Sequence, residues 1–409
     1  MRVRLALLGG LLLVAVAVAL AAWLWRQSRE AQRVPIVIGA VHALSGPLAT
    51  SEAPLVEALK LAVHEINEGG GLLGRPVELR IEDTLSDARV TAGAAAERLI
   101  VEQHAVALFG CWSSGCRQVV RPVVESRGHL LFFPMAYEGM ERSPHIVYTG
   151  PTPNQQILPA TDWAMKAFGR RVYLVGTDGL FPRRVNAMLR DFIALGGGQV
   201  LGERYVPLAA TRLDDAVADL RRLKPDVVLS TISGDSNRAF FDALAAEGMA
   251  GQPVMAFAAA EPEMRAYGGG RLGRLFAAWG YLPSLPDRAN QDFLTRWRAL
   301  HGDAAQISDA AMSAYVGVQL WAAAVREAGS AQTAAVNAAV VQQSVAAPHG
   351  FVAMDAQSRH VWRPLRIAQV QPDGQLRVVW QAPHTIRPAP WPSFRPRAHW
   401  DALVAGIAP

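Results

Sequence analysis

The sequence predicts an α/β protein of two doubly wound lobes, and three observations support this fold class. Short apolar runs alternate with segments whose apolar residues recur at helical spacing, which is the pattern of βαβ units and a parallel sheet. The alternation runs from residue 34 to about residue 149 and then starts again. The chain of 409 residues, 51% of them hydrophobic, is long enough for two such cores.

The first series of elements follows directly from these patterns. Apolar spacing predicts a helix over residues 51–67, which Gly69, Gly70 and Gly71 end in the manner of C-terminal glycines. Strands are predicted at residues 34–41, 77–81, 106–109 and 130–133, and further helices at residues 87–102 and 117–126.

The second series repeats this order. Strands are predicted at residues 172–175, 200–206, 227–232 and 254–257, with helices at residues 154–168, 182–195, 213–223 and 237–247. Two long helices, at residues 290–300 and 309–328, and a strand-rich end at residues 361–370 and 376–380 follow. This late return of helices and strands indicates that the chain crosses between the lobes again.

The chain is therefore divided into two lobes flanked by two end segments. The predicted division is residues 1–33 as signal-anchor and tether, 34–149 and 283–345 as the first lobe, 150–282 and 346–382 as the second lobe, and 383–409 as a proline-rich extended surface tail.

Residues 5–25 form an unbroken apolar run, and about 20 such residues are long enough to span a bilayer. Trp23 and Trp25 stand where interfacial tryptophans are usual. These features predict an uncleaved helix in the inner membrane that holds the functional domain in the periplasm. The alternative is a cleaved signal peptide, since residues 17–19 (Ala-Val-Ala) resemble a cleavage site.

Several function classes lack support in the sequence. It has no phosphate-binding GxxxxGK[ST], no HExxH, no CxxC and no GxSxG motif, so neither a cofactor nor a metal site is expected. The net charge of +5 is not gathered into a basic stripe with aromatic residues, which argues against nucleic acid as a partner.

The loop "FGCWSSGC" carries the only two cysteines, Cys111 and Cys116, between a strand and a helix. Exposed backbone N–H groups at such a switch favour a ligand oxygen, and Ser113 and Ser114 are natural helix caps. We interpret it as a ligand-binding loop. A cap with nothing bound and a disulfide between the two cysteines remain open, whereas a catalytic cysteine lacks a histidine partner nearby.

Other polar loops also follow predicted strands. Asp235 lies in "TISGDSN" and Glu261 follows another strand, while Trp279 in "AWGY" offers an aromatic wall. Because ligands bind at the carboxyl ends of strands in such folds, all these loops are expected to face one shared cleft.

Several strings resemble a known family. These are "VHALSGPLA", "NEGGGLLGRPVE", "FGCWSSGCRQVVRPVVE", "FFPMAYEGMERSPHIVYTGPTPNQQ", "VGTDGLFPRRVN", "KPDVVLSTISGDSN" and "HVWRPLRIAQVQPDGQLRVVWQ". They resemble type I periplasmic binding proteins, in particular the urea-binding proteins of ABC transporters and the amide sensor of the aliphatic amidase operon. The resemblance implies two flavodoxin-like lobes, a three-stranded hinge and a small polar ligand in the cleft, without catalysis.

Matched position by position, the resemblance also implies ligand-binding residues. Ser114 matches a serine that contacts the ligand amide, and the other matched positions are Trp112, Phe133, Tyr137, Asp235 and Glu261. Two positions depart from the pattern: Gly179 replaces a cleft tyrosine and Met135 replaces a threonine. Both changes remove a hydroxyl and predict a ligand larger and less polar than urea, unless Phe181 or Trp279 closes the gap.

The sequence thus predicts a periplasmic solute-binding protein for a small amide, urea-like compound or amino acid. It would work by hinge closure and deliver its ligand to an ABC permease. The alternative is presentation to a membrane sensor that regulates amide metabolism. An amide hydrolase would need an activated nucleophile beside a base, which the sequence does not show.

Overall fold

The structure is a computed structural model that describes residues 34–303 and 305–407. The predicted signal-anchor lies outside these residues, and among them no helix is both long and apolar enough to cross a membrane. The described elements, in chain order, are β1 (Ile36–His42), α1 (Ala49–Glu68), β2 (Val77–Asp83), α2 (Ala88–Val101), β3 (Leu108–Gly110), α3 (Ser114–Ser126), β4 (Leu131–Phe133), β5 (Ile146–Tyr148), α4 (Ile157–Phe168), β6 (Arg171–Thr177), α5 (Leu180–Leu195), β7 (Gln199–Val206), α6 (Asp214–Leu223), β8 (Val227–Thr231), α7 (Ser236–Ala246), β9 (Val254–Ala256), α8 (Glu261–Ala266), β10 (Leu275–Trp279), α9 (Arg288–His301), α10 (Asp309–Ala328), α11 (Thr333–Ala339), β11 (Ser344–Ala347), β12 (Gly350–Asp355), β13 (His360–Val361), β14 (Arg366–Val370), β15 (Leu376–Gln381) and α12 (Arg397–Gly406).

Two sheets confirm the predicted two-lobed α/β fold. The first has the strand order β11-β12-β13-β5-β4-β3-β1-β2, and the second has the order β15-β14-β10-β9-β8-β6-β7. Strands β1 to β5 pair in parallel in the first sheet, as do β6 to β10 in the second. Parallel pairing buries strands on both faces, which is why they read as continuous apolar runs.

The chain passes between the sheets three times, at residues 149–156, 280–287 and 362–365. One buried ion pair connects all three crossings. Arg363 of the third crossing bonds both carboxylate oxygens of Asp309 at 2.5 and 2.6 Å and the carbonyl of Thr149, in the first crossing, at 2.5 Å. Asp309 also accepts the backbone N–H groups of Gly280 and Tyr281, in the second crossing, at 2.9 and 2.7 Å.

The structure corrects the predicted third crossing. Residues 346–361 were assigned to the second lobe, but β11, β12 and β13 extend the first sheet, where His360 pairs with Tyr148 of β5. The crossing therefore lies after residue 361. Apolar alternation identifies strands but does not say which sheet they join, because that depends on pairing across a long sequence separation.

The predicted tail is corrected as well. Residues 383–409 were expected to form an extended surface tail, yet the described part of that segment ends in the helix α12. Trp400 of this helix is fully buried among apolar residues of the second lobe, and its indole N–H donates to the carbonyl of Pro392 at 2.8 Å. The proline content indicated an extended chain but not that its end packs on the lobe.

Candidate ligand-binding cleft

A cavity of about 480 Å³ lies between the carboxyl ends of the two sets of parallel strands. Residues from both lobes line it, as expected for the shared cleft. The first lobe contributes Leu48, Ser86, Asp87, Ala88, Arg89, Trp112, Ser113, Ser114, Gly115, Met135 and Ala136, and the second contributes Thr177, Asp178, Gly179, Leu180, Phe181, Pro182, Arg183, Leu208, Ser233 and Ala258.

The two lobes touch beside this cavity, so the cleft is closed in this structure. The carbonyl of Pro47 in the first lobe accepts the backbone N–H of Asp235 in the second at 3.2 Å. Gly234 has a φ of +61°, and a Cβ there would lie 2.5 Å from the Pro47 oxygen. Only glycine allows the loops to approach this closely.

The loop at residues 111–116 forms part of the cavity wall, and its two cysteines are joined by a disulfide. Ser113 caps α3 by accepting the N–H of Cys116 at 3.1 Å, which leaves its own hydroxyl hydrogen available. The N–H groups of Ser114 and Gly115, in the first turn of α3, have no acceptor among the described residues. The loop is therefore both a disulfide-closed cap and a donor surface that faces the cavity.

Arg89 adds a positive charge to this donor surface. Its side chain is exposed and has no ion pair or hydrogen bond among the residues that the structure describes. A Cβ placed on Gly115 would lie 3.2 Å from the Arg89 Cγ and 3.7 Å from the Ser113 Oγ, so the three residues adjoin one point. Together they supply the guanidinium, hydroxyl and amide donors that bind a carboxylate.

Ser114 faces the cavity but also belongs to a buried ionic network. Its hydroxyl donates to Glu138 at 2.5 Å and accepts from Arg117 at 3.0 Å. Burial by itself would lower the pKa of Arg117, but the carboxylates of Glu141 and Glu138 raise it above its ordinary value. Burial likewise favours the neutral form of Glu141, but Arg117 lowers its pKa below the usual range. Arg117 and Glu141 thus hold each other in their charged forms.

The second lobe supplies the more apolar wall. Phe181 is buried at the start of α5, and Gly179 is extended, with nothing but Pro182 within 4 Å of the place where a Cβ would stand. Gly179 is therefore open to the cavity on this side. The charges on this side already form a pair, because Arg183 donates to Asp178 at 2.7 Å.

Two predicted wall residues, Phe133 and Tyr137, lie behind the cavity rather than in its wall. Both rings pack on the Arg117 guanidinium, whose carbon is 4.9 and 4.6 Å from their centroids. The Tyr137 hydroxyl is 2.6 Å from Nε2 of His360. Their contribution is to enclose the ionic network.

Three other predicted residues also lie away from the cavity wall. Asp235 accepts the hydroxyl of Tyr267 at 2.8 Å, and the indole N–H of Trp279 donates to the carbonyl of Ala259 at 3.0 Å. Glu261 is buried at the start of α8, where one carboxylate oxygen lacks a partner in the described structure. Burial raises the pKa of Glu261 to about 7, although Arg265 partly offsets this.

Of the predicted residues, the cavity wall brings together Trp112, Ser113, Ser114, Met135, Gly179 and Phe181. Sequence reasoning missed Arg89 and Asp87, which follow β2, and Asp178, which follows β6. The rule that ligands bind at the carboxyl ends of strands applied to these loops too. Asp87 and Arg89 lie outside the strings that resemble the family, and Asp178 lies inside one of them, where attention went to Gly179 instead.

Comparison with known proteins identifies the family. Residues 36–397 match the model of the periplasmic binding protein domain, which is most of the chain. The chain belongs to this family. Its two-lobed fold is the one expected of the type I members.

Solved structures agree with this fold. A solute-binding protein of an ABC transporter from Rhodopseudomonas palustris, in complex with 4-hydroxybenzoate, is 22% identical, with a TM-score of 0.77 over 87% of this chain and 98% of that one. A branched-chain amino acid transporter substrate-binding protein from Streptococcus pneumoniae, in complex with isoleucine, is 17% identical, with a TM-score of 0.75 over 87% of this chain and all of that one.

Curated relatives show a similar level of sequence identity. Leu/Ile/Val-binding protein homolog 8 of Brucella abortus is 24% identical over 209 residues, which are 48% of this chain and 51% of the relative. The chain thus spans about half the length of this relative. Leu/Ile/Val-binding protein homolog 6 of Brucella melitensis is 22% identical over 82% of this chain and 87% of its own length.

Proposed function

We propose that this binding protein captures a small organic acid with an apolar body, such as an amino acid, and delivers it to an ABC permease. The observation that carries the proposal is the unpaired Arg89 beside the free N–H groups of Ser114 and Gly115. A carboxylate is the ligand group that satisfies all of these donors at once. The solved relatives hold 4-hydroxybenzoate and isoleucine, and both of these ligands carry a carboxyl group.

The direction of the Ser114 hydroxyl supports a second ligand group. Its hydrogen is committed to Glu138 and its oxygen already accepts from Arg117, so it can only accept one further hydrogen bond. An N–H donor satisfies this oxygen, as an ammonium or an amide group would. An amino acid combines such a donor with a carboxylate, and the amide that the sequence predicts provides the donor alone.

The size of the cavity favours a ligand larger than urea. Its volume of about 480 Å³ lies in the range of pockets for drug-sized ligands, and urea would fill only a small part of it. Trp112, Met135 and Phe181 provide apolar surface for the rest of the ligand. The urea and amide branch of the family is therefore a weaker proposal than an apolar amino acid or aromatic acid.

Binding would work through hinge closure. A solute that touches both lobes stabilises the closed arrangement only by its greater affinity for that state. A micromolar ligand requires about 8 kcal/mol, so burial of its apolar body must add to hydrogen bonds of about 1 kcal/mol each. The family implies a periplasmic location, in which the predicted anchor at residues 1–33 would keep the protein close to a permease or a membrane sensor.

Titration calorimetry with L-isoleucine, 4-hydroxybenzoate, acetamide and urea tests the ligand class. We expect at least one of the two acids to bind in the micromolar range, and acetamide and urea to bind at least about tenfold more weakly. The variant Gly179→Tyr should weaken the acid, because the extended backbone accepts a tyrosine whose ring would occupy the cavity. Tighter binding of urea than of either acid would contradict the proposal.

A further inference from the structure

The segment at residues 386–390, together with α12, forms a strap across the back of the hinge. Ile386 pairs with Arg363 of the third crossing through two backbone hydrogen bonds of 2.7 and 3.3 Å. Asn154 of the first crossing donates to the carbonyl of Arg387 at 2.9 Å and accepts the N–H of Ala389 at 2.8 Å. The strap therefore follows two of the three crossings before it reaches the second lobe.

The strap also contacts the first lobe. The carbonyl of Pro390 accepts the N–H of Met140 at 2.8 Å, and the guanidinium of Arg387 donates to Asp355 at 2.8 Å. Gly139 has a φ of +74°, and a Cβ there would lie 2.2 Å from the Pro390 oxygen. This close approach indicates a fitted contact rather than a loose tail.

The other end of the strap is fixed in the second lobe. Trp400 is buried, and Arg395 and His399 both bond Asp191 of α5, at 3.2 and 2.9 Å. The strap is thus attached to both lobes, in addition to the three covalent crossings.

Arg184 joins the end of the strap to the first lobe. This α5 residue is 4% exposed and donates to the carbonyls of Ile407 and Val404, at the end of α12, at 3.0 and 3.2 Å. Its remaining nitrogen donates to the fully buried carboxylate of Glu138, across the cleft, at 3.1 Å. One guanidinium therefore connects α12, α5 and the loop behind the ligand cavity.

Opening of the cleft would separate Arg184 from Glu138 and would affect these two side chains unequally. Glu138 would keep Arg117 and Ser114, which belong to its own lobe, whereas Arg184 would lose the one carboxylate that it contacts among the described residues. A buried charge that loses its partner is strongly disfavoured unless water reaches it. We propose that the strap, acting through Arg184 and Arg387, biases the protein towards the closed arrangement before any solute binds.

Distance measurements between spin labels on the two lobes test this bias without a solute. Labels on cysteines at Val90→Cys and Arg212→Cys would lie on exposed residues of the first and the second lobe, one residue after Arg89 and four after Leu208 of the cavity wall, and the native cysteines are already paired. In the solute-free full chain we expect Arg184→Gln to raise the ratio of open to closed molecules about tenfold and Arg387→Gln to raise it less. Arg190→Gln is the matched control, since Arg190 pairs with Glu203 within the second lobe.

Circular dichroism establishes that each variant is folded. If Arg184→Gln fails to fold, Arg387→Gln decides alone, because Arg387 is largely exposed and its loss leaves the core intact. If the folded variants gave the same distance distributions as the unsubstituted protein, the proposed bias towards the closed arrangement would be wrong. The ligand class would be unaffected by that result, because no solute takes part in the measurement.

Discussion

The two faces of the cleft differ in what their polar groups still lack. On the first lobe, Arg89 and the N–H groups at the start of α3 have no protein partner among the described residues. On the second lobe, Arg183 is already paired with Asp178, and the neighbouring wall is apolar. Under the proposed function, the first lobe would bind the polar head of a solute and the second would close over its body.

Behind the cavity walls the contrast is reversed, because here the buried carboxylate of the first lobe has its hydrogen-bond partners and that of the second lobe does not. Glu138 of the first lobe has hydrogen bonds from Ser114, Arg117 and Arg184, whereas Glu261 of the second lobe has a buried oxygen without a partner. Buried carboxylates ordinarily require such partners. The first lobe is therefore preorganised as a charged site, and the second contains a group that burial holds largely neutral below pH 7.

The largest expected effect concerns Glu261. Burial raises the pKa of Glu261 to about 7 in the folded protein, above its ordinary value of 4.5, so the folded state binds the proton more tightly than the unfolded chain. The Glu261 contribution to the free energy of unfolding should fall, by on the order of 3 kcal/mol, as pH rises from the unfolded to the folded pKa. Denaturant titrations over pH 4.5 to 7.5 measure this contribution as the difference in the free energy of unfolding between wild type and Glu261→Gln.

The matched control for this experiment is Glu102→Gln, which alters an exposed glutamate. Its stability should follow the wild-type pH profile. If Glu261→Gln follows that profile too, the described contrast between the two buried glutamates is incorrect.

A smaller effect is expected from the two arginines of the cavity. Arg89→Gln should weaken the tighter-binding acid by about 2 kcal/mol, or about thirtyfold, because a hydrogen bond to a charged group is lost. Arg183→Gln should weaken it less, since the charge of Arg183 is already balanced by Asp178. Calorimetry on both variants compares the two faces directly, and equal losses would remove the distinction between them.

The smallest effects separate Ser113 from Ser114. Ser113→Ala removes a hydroxyl that can donate to the solute and should reduce affinity by about 1 kcal/mol. Ser114→Ala leaves Glu138 and Arg117 each short of a partner, so its main effect should be a loss of about 1 kcal/mol in the free energy of unfolding.

Thermal unfolding and calorimetry on each serine variant provide the check. The distinction would fail if Ser114→Ala were as stable as wild type and lost more affinity than Ser113→Ala.

The fold could be predicted from the sequence because the patterns that specify its strands and helices lie within short stretches of the chain. Apolar strands, helical spacing and glycine stops such as Gly69 placed the elements and hence both lobes. Sheet membership could not be predicted in the same way: His360 pairs with Tyr148, and this contact across 212 residues leaves no local pattern. The docking of Trp400 is hidden for the same reason.

The candidate site was predictable only in part. The loop at residues 111–116 stands out because it joins a strand to a helix and carries cap residues. The role of Arg89 depends on having no partner, and that is a property of three-dimensional surroundings. The opposite applies to Tyr137 and Phe133, whose ring types fit a ligand wall but whose positions enclose Arg117.

The ion pair between Arg363 and Asp309 has a mechanical consequence. Because the three crossings are bonded to one pair of side chains, we expect any relative motion of the lobes to be a rotation about that point. Displacement in a rotation grows with distance from its axis. A fluorescent reporter at the cavity rim would therefore give the largest signal of solute capture, and one beside Arg363 would give almost none.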